Sequence, residues 1–164
     1  MQVMLVSTWK IRCGITEYVQ ALKKELDALL GVQMVRVPMT RSRKGMLALL
    51  DEINKGDIVH IQYYRDFYGD WRHPWILCNF MFFLKHIRIP IVITLHDLIH
   101  GLSFLKINRI SLKRIFYNIV IVPLINWTPY GRFLRGRFLD VADRIIVHNA
   151  TDKLFLESLG IDAQ

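Results

Sequence analysis

The chain has 164 residues, 52% hydrophobic and 22% charged, with 22 Lys and Arg against 14 Asp and Glu for a net charge of +8. That is the length of one domain, enough to bury about 68–70% of its unfolded surface; the apolar content excludes a disordered chain, and two cysteines exclude a disulfide scaffold. Mean hydropathy is +0.25, yet the longest apolar runs, 119–125 and 80–84, fall well short of the ~18 residues a membrane-spanning helix requires.

Hydrophobic periodicity predicts strands alternating with helices. Residues 2–7 form a short apolar strand with no basic region ahead of it and no small-residue cleavage site, so the N-terminus reads as strand rather than signal and the expected compartment is the cytoplasm. Cys13 and Cys78, in no Cys-x-x-Cys or Cys/His spacing, are then expected as reduced thiols without a zinc or redox role. Residues 15–30 carry Ile15, Val19, Leu22, Leu26, Leu29 and Leu30 along one helical stripe, with Gly31 as the expected stop. A second strand is expected over 32–37, a helix over 44–54 ended by Gly56, and a third strand over 57–62. An irregular aromatic loop, 63–73, leads to a helix from Pro74 to about Ile87. A fourth strand covers 91–95; two helices parted by Pro123 cover 103–122 and 128–142; a fifth strand covers 144–148 and a last helix 151–159. Parallel neighbours need crossover connections, so this alternation predicts a single α/β domain built on a doubly wound, Rossmann-like parallel sheet. No internal repeat, low-complexity tract or linker divides it.

Ligands of such sheets bind beyond the carboxyl ends of the strands. After the first strand, Lys10 and Arg12 lie beside Gly14 and Ile15 at a helix start, where free backbone N–H groups and the positive helix end favour an anion. A single glycine equally suits a tight strand-to-helix turn, and no G-x-G-x-x-G fingerprint of a nicotinamide site is present. After the third strand, alternation puts His60 and Gln62 on one face, His60 as a buried histidine and Gln62, with Tyr63, near the crevice. After the fourth come His96, Asp97 and His100, and after the fifth His148-Asn149, with Asn149 also suited to cap the last helix. His96 is placed to exchange or share protons near neutral pH. His96 and His100 lack a third ligand nearby, so no metal is expected. Facing carboxylate pairs and a G-x-S-x-G elbow are missing, which argues against glycoside and serine hydrolases.

These pieces resemble, in order and spacing, the N-terminal domain of a GT-B glycosyltransferase of retaining family 4. They are Cys13-Gly14-Ile15-Thr16-Glu17-Tyr18, Asp57-Ile-Val-His-Ile-Gln-Tyr63, Pro90-Ile-Val-Ile-Thr-Leu-His-Asp97, and Ala142-Asp-Arg-Ile-Ile-Val-His148 with the helix 151–161 that follows. The resemblance spans nearly the whole chain and implies the N-terminal half of a GT-B fold that transfers a sugar from a nucleotide sugar, with this domain mainly holding the acceptor. It implies that the helix start at Gly14 and Ile15 faces the donor diphosphate or sugar, although the family often has two adjacent glycines where this chain has Cys13-Gly14. It implies that His96 is the catalytic histidine, hydrogen bonding to sugar or acceptor hydroxyls and stabilising the charged transition state, and that no metal or other cofactor is needed. The acceptor-side residues expected from strand-end placement are Lys10, Arg12, Gln62, Tyr63, Asp97 and Asn149. The family's Glu-x7-Glu motif belongs to a second, nucleotide-binding domain; Glu17 and Glu25 share its spacing but sit on the first helix as solvent-facing carboxylates. The chain is therefore expected to be incomplete for catalysis, a truncated polypeptide or one subunit of a split enzyme, with the missing domain in cis or as a separate chain.

Between residues 101 and 140, Lys106, Arg109, Lys113, Arg114, Arg132, Arg135 and Arg137 face a single acid, Asp140, so this stretch holds +6 of the net charge. Seven aromatics, Trp127 among them, are interleaved with these cations. Such a mixture suits peripheral contact with an anionic membrane surface, and a lipid-linked or polysaccharide acceptor would explain it. The bland reading is a solvated basic face. A non-enzymatic basic module binding nucleic acid is the competing function, and it is disfavoured because no recognition-helix, RRM or OB signature accompanies the charge.

Overall fold

In the computed structural model, which describes residues 1–7, 14–37, 42–64, 68, 74–96, 141–158 and 162–164, five strands alternate with helices. They are β1 (Gln2–Ser7), β2 (Gly31–Arg36), β3 (Ile58–Tyr63), β4 (Ile91–Leu95) and β5 (Arg144–Val147). Between them lie α1 (Gly14–Asp27), α2 (Arg43–Leu47), α3 (Leu50–Ile53) and α4 (Pro74–Leu84), and α5 (Ala150–Ser158) follows β5. Every pairing is parallel and the strand order is β2-β1-β3-β4-β5. The chain leaves β1 toward one edge and returns past it to β3, so the topological switch lies between β1 and β3.

Alternation along the strands gives the sheet two unlike faces. One carries Met4, Val6, Val35, Val37, Val59, Ile61, Tyr63, Ile91, Ile93, Leu95 and Ile145, all buried. Met46 of α2, Ile53 of α3, and Phe80, Phe83 and Leu84 of α4 belong to the same apolar core, and α2 and α4 pack against each other. The opposite face carries Leu5, His60, Gln62 and Thr94, aligned by the registers Leu5↔His60 and Gln62↔Thr94. There α1 packs on β1 and β2 with Thr16 and Val19 buried, its Glu17 in the first turn and Lys24 in the last complementing the helix dipole.

Strand entries are pinned by aspartates. Asp57 accepts the Gln2 N–H through Oδ2 (2.6 Å) while its own N–H goes to the Gln2 carbonyl (2.9 Å). Asp143 repeats the arrangement with Ile91, at 2.7 and 2.8 Å. Beside the first pair, Gly56 is required by close approach: a Cβ there would overlap the Met4 side chain and stand 3.3 Å from the Gln2 carbonyl oxygen.

Three local expectations change. Helix α1 ends at Asp27, with the Leu29 and Leu30 N–H groups both on the Leu26 carbonyl; Gly31 instead opens β2, its N–H taken by the Met1 carbonyl. The helix expected over 44–54 is two short helices. Ala48 and Leu49 stay right-handed, but Leu49 donates to Met46, an i→i−3 bond that tightens the turn between them. Tyr68, expected in an irregular loop, is buried with its ring 4.4 Å from that of Phe80 and 5.7 Å from that of Tyr63. The helix expected over 103–122 lies outside the described residues, as does that expected over 128–142 up to residue 140; Val141 and Ala142 are described and are not helical.

Candidate functional site

The polar face of the sheet ends in a cluster contributed by three neighbouring strands. Gln62 and His60 come from β3, Thr94 from β4, His96 from the residue after β4, and His148 from the residue after β5. The His96 backbone continues the ladder, its N–H on the Tyr63 carbonyl (3.2 Å), so its side chain shares the face of Gln62 and Thr94, two residues beyond Thr94. His96 Nε2 lies 2.7 Å from Gln62 Oε1, Gln62 Nε2 lies 3.0 Å from His60 Nε2, and His60 Nε2 lies 2.7 Å from Thr94 Oγ1. On its other side His96 Nδ1 meets His148 Nε2 at 3.1 Å. Tyr18, on the first turns of α1, stands edge-on to both outer rings, 5.2 Å from His96 and 5.4 Å from His148.

Burial grades along this string. Gln62 is 1% exposed and Thr94 is fully buried; His60 and His96 are intermediate and His148 is exposed. Burial pushes the His60 imidazole down to about 4. His96 is also held down to about 4, by burial first and then by the neighbouring His148 and His60 rings. At neutral pH His96 is therefore an uncharged imidazole that offers hydrogen bonds rather than positive charge.

Of the residues expected at the site, the structure brings Gln62 and His96 together. Tyr63 turns to the other face and is buried between Tyr68 and Phe80. Asn149 caps α5: its Oδ1 accepts the Asp152 N–H and its Nδ2 donates to Asp152 Oδ2, both at 2.8 Å. Gly14 and Ile15 form the first residues of α1, and no described atom lies within 4 Å of where a Gly14 Cβ would stand. Lys10, Arg12 and Asp97 lie outside the described residues, as do Lys106, Arg109, Lys113, Arg114, Trp127, Arg132, Arg135 and Arg137.

His148 lies at the strand end after β5 that matches that of His96 after β4, but of that pair only its neighbour Asn149 is among the expected site residues. Thr94 and Tyr18 are not among them. Tyr18 had no sequence signal, because its contact with the histidines depends on how α1 lies on the sheet. Among the described residues no three His, Cys, Asp or Glu side chains are placed to share a metal ion, and no helix is long and apolar enough to cross a membrane. Cys78 is a free, exposed thiol. In comparisons with known proteins, no family model matches the chain and no curated protein matches it.

Proposed function

We propose that this domain takes part in transferring a sugar from a nucleotide-sugar donor to an acceptor, as the N-terminal, acceptor-side half of a GT-B glycosyltransferase of family 4. The observation that carries the reading is the polar cluster Gln62–His96–His148 with Tyr18, set at the carboxyl ends of three parallel strands. Hydrogen-bonding imidazoles and an amide beside an aromatic edge suit a polyhydroxylated ligand, and strand ends are where sheets of this kind hold theirs. The start of α1 at Gly14 supports the reading as well, since the positive end of a helix suits a diphosphate. The neutral state of His96 suits a hydrogen-bonding group within the cluster, held between Gln62 and His148, rather than a nucleophile. In this reading a second domain binds the nucleotide, no metal is used, and the cations and aromatics of 101–140 bring the domain to an anionic membrane surface carrying a lipid-linked or polysaccharide acceptor.

The test is transfer measured with this domain joined to, or mixed with, its nucleotide-binding half. His96→Ala is expected to lower kcat/KM on the order of 10²-fold, the usual effect of removing a positioned polar group, with nucleotide binding retained. Transfer at the unsubstituted rate would remove His96 from the site and with it the support for this function.

A further inference from the structure

The protons of the histidine string can be assigned one by one. A carbonyl oxygen only accepts and an amide nitrogen only donates. Gln62 presents Oε1 to His96 and Nε2 to His60, so His96 bears its proton on Nε2, while His60 is bare at Nε2 and protonated at Nδ1. The Thr94 hydroxyl lies 2.7 Å from the same nitrogen, whose single lone pair it shares with the Gln62 amide. Neutral His96 then has a lone pair on Nδ1, and His148 Nε2 donates to it across 3.1 Å. His96 has spent both ring nitrogens and has none left for a ligand. The string ends on His148, which is exposed, and whose Nδ1 meets no partner among the described residues.

Resting on the sugar-transfer reading, we infer that His148 is the imidazole that touches the ligand, its Nδ1 accepting a hydrogen bond from a sugar hydroxyl. His96 and Gln62 are positioning residues that hold the His148 ring in its Nε2–H tautomer. Tyr18 supports the same orientation, since its ring meets those of His96 and His148 edge-on at 79° and 89°. The direction of the string is set at Gln62: an amide has distinct donor and acceptor ends, so one buried side chain dictates the tautomers of the rings on either side.

Long-range ¹H–¹⁵N correlation spectra of the imidazoles read these tautomers in the free chain, with no ligand. The expected result is a proton on Nε2 in His96 and His148 and on Nδ1 in His60. A His148 ring protonated on Nδ1, or exchanging evenly between tautomers, overturns the inference. Diethyl pyrocarbonate, which attacks bare imidazole nitrogens, gives a second readout at neutral pH: His148 should react on the order of ten-fold faster than His96, and His148→Ala should expose His96 to modification. Faster modification of His96 in the unsubstituted chain also overturns the inference. Gln62→Met should release both outer rings into mixed tautomers; should that buried substitution unfold the domain, the exposed-site variant His148→Ala keeps the test decisive. With the paired nucleotide-binding half present, UDP-glucose, GDP-mannose and dTDP-glucose are then added in turn. A sugar nucleotide that is turned over yet leaves His148 fully reactive refutes the ligand contact. If none is turned over, the sugar-transfer reading fails, while the tautomer spectra still decide which imidazole is open.

Discussion

Two histidines kept neutral by the fold make its stability depend on pH. Free histidine titrates near 6.5, whereas burial lowers His60 to about 4, and burial with the His148 and His60 rings lowers His96 to about 4. Between these values the unfolded chain binds more protons than the folded one, so stability is complete above about pH 6.5 and declines as pH falls toward 4. His60 alone should account for a loss on the order of 2 kcal/mol by pH 4.5, with a smaller share from the less buried His96. Urea unfolding midpoints measured from pH 7 to 4.5 check this, and His60→Asn should flatten the profile; a midpoint that does not move in the unsubstituted chain contradicts the assignment. At this scale the sequence was informative where alternation decides. It placed His60 and Gln62 on one face, but it could not show that a buried amide would leave His96 without a free nitrogen.

Each entry into β3 and β5 repeats one device, an aspartate whose backbone and side chain both grip the first residue of the neighbouring strand. Because a one-residue slip would exchange the apolar and polar faces, pinning the entries protects the alignment of Leu5 with His60 and of His96 with His148. Asp143→Ala leaves the Ile91 N–H without its carboxylate partner in a part-buried position and should cost about 1–2 kcal/mol in chemical denaturation. Asp57→Ala, at a more exposed contact, should cost less; equal losses would show that burial does not grade the two. Elements with strong periodicity were legible, and β1 and β4 run over the residues expected. The region 44–54 was not, since its apolar spacing is the same whether the helix runs on or tightens at Leu49. Asn149 fitted two roles, strand-end ligand contact and helix cap, and in the structure both ends of its amide are engaged by Asp152.

For the molecule as a whole, alternating strands and helices implied a parallel α/β sheet, but strand order was beyond periodicity. The return of β3 past β1 depends on which edge each crossover reaches, and no local pattern encodes that. The basic stretch 101–140 is a whole-molecule property of another kind, a charge asymmetry that acts over a Debye length. Sedimentation with phosphatidylserine-containing vesicles should carry the chain into the pellet at low salt and release it as salt rises, while neutral phosphatidylcholine vesicles carry little. Equal absence from both pellets would leave the +6 segment as a solvated face.

The histidine string also crosses from one strand to the next. Strand ends in an open sheet ordinarily fray one at a time, each backbone bond breaking at its own small cost. Here side chains lace the ends of β3, β4 and β5 together, so that detaching one end breaks bonds to the next. The amides there should exchange with solvent as a unit, and a ligand that engages His148 would slow exchange as far away as β3, two strands distant.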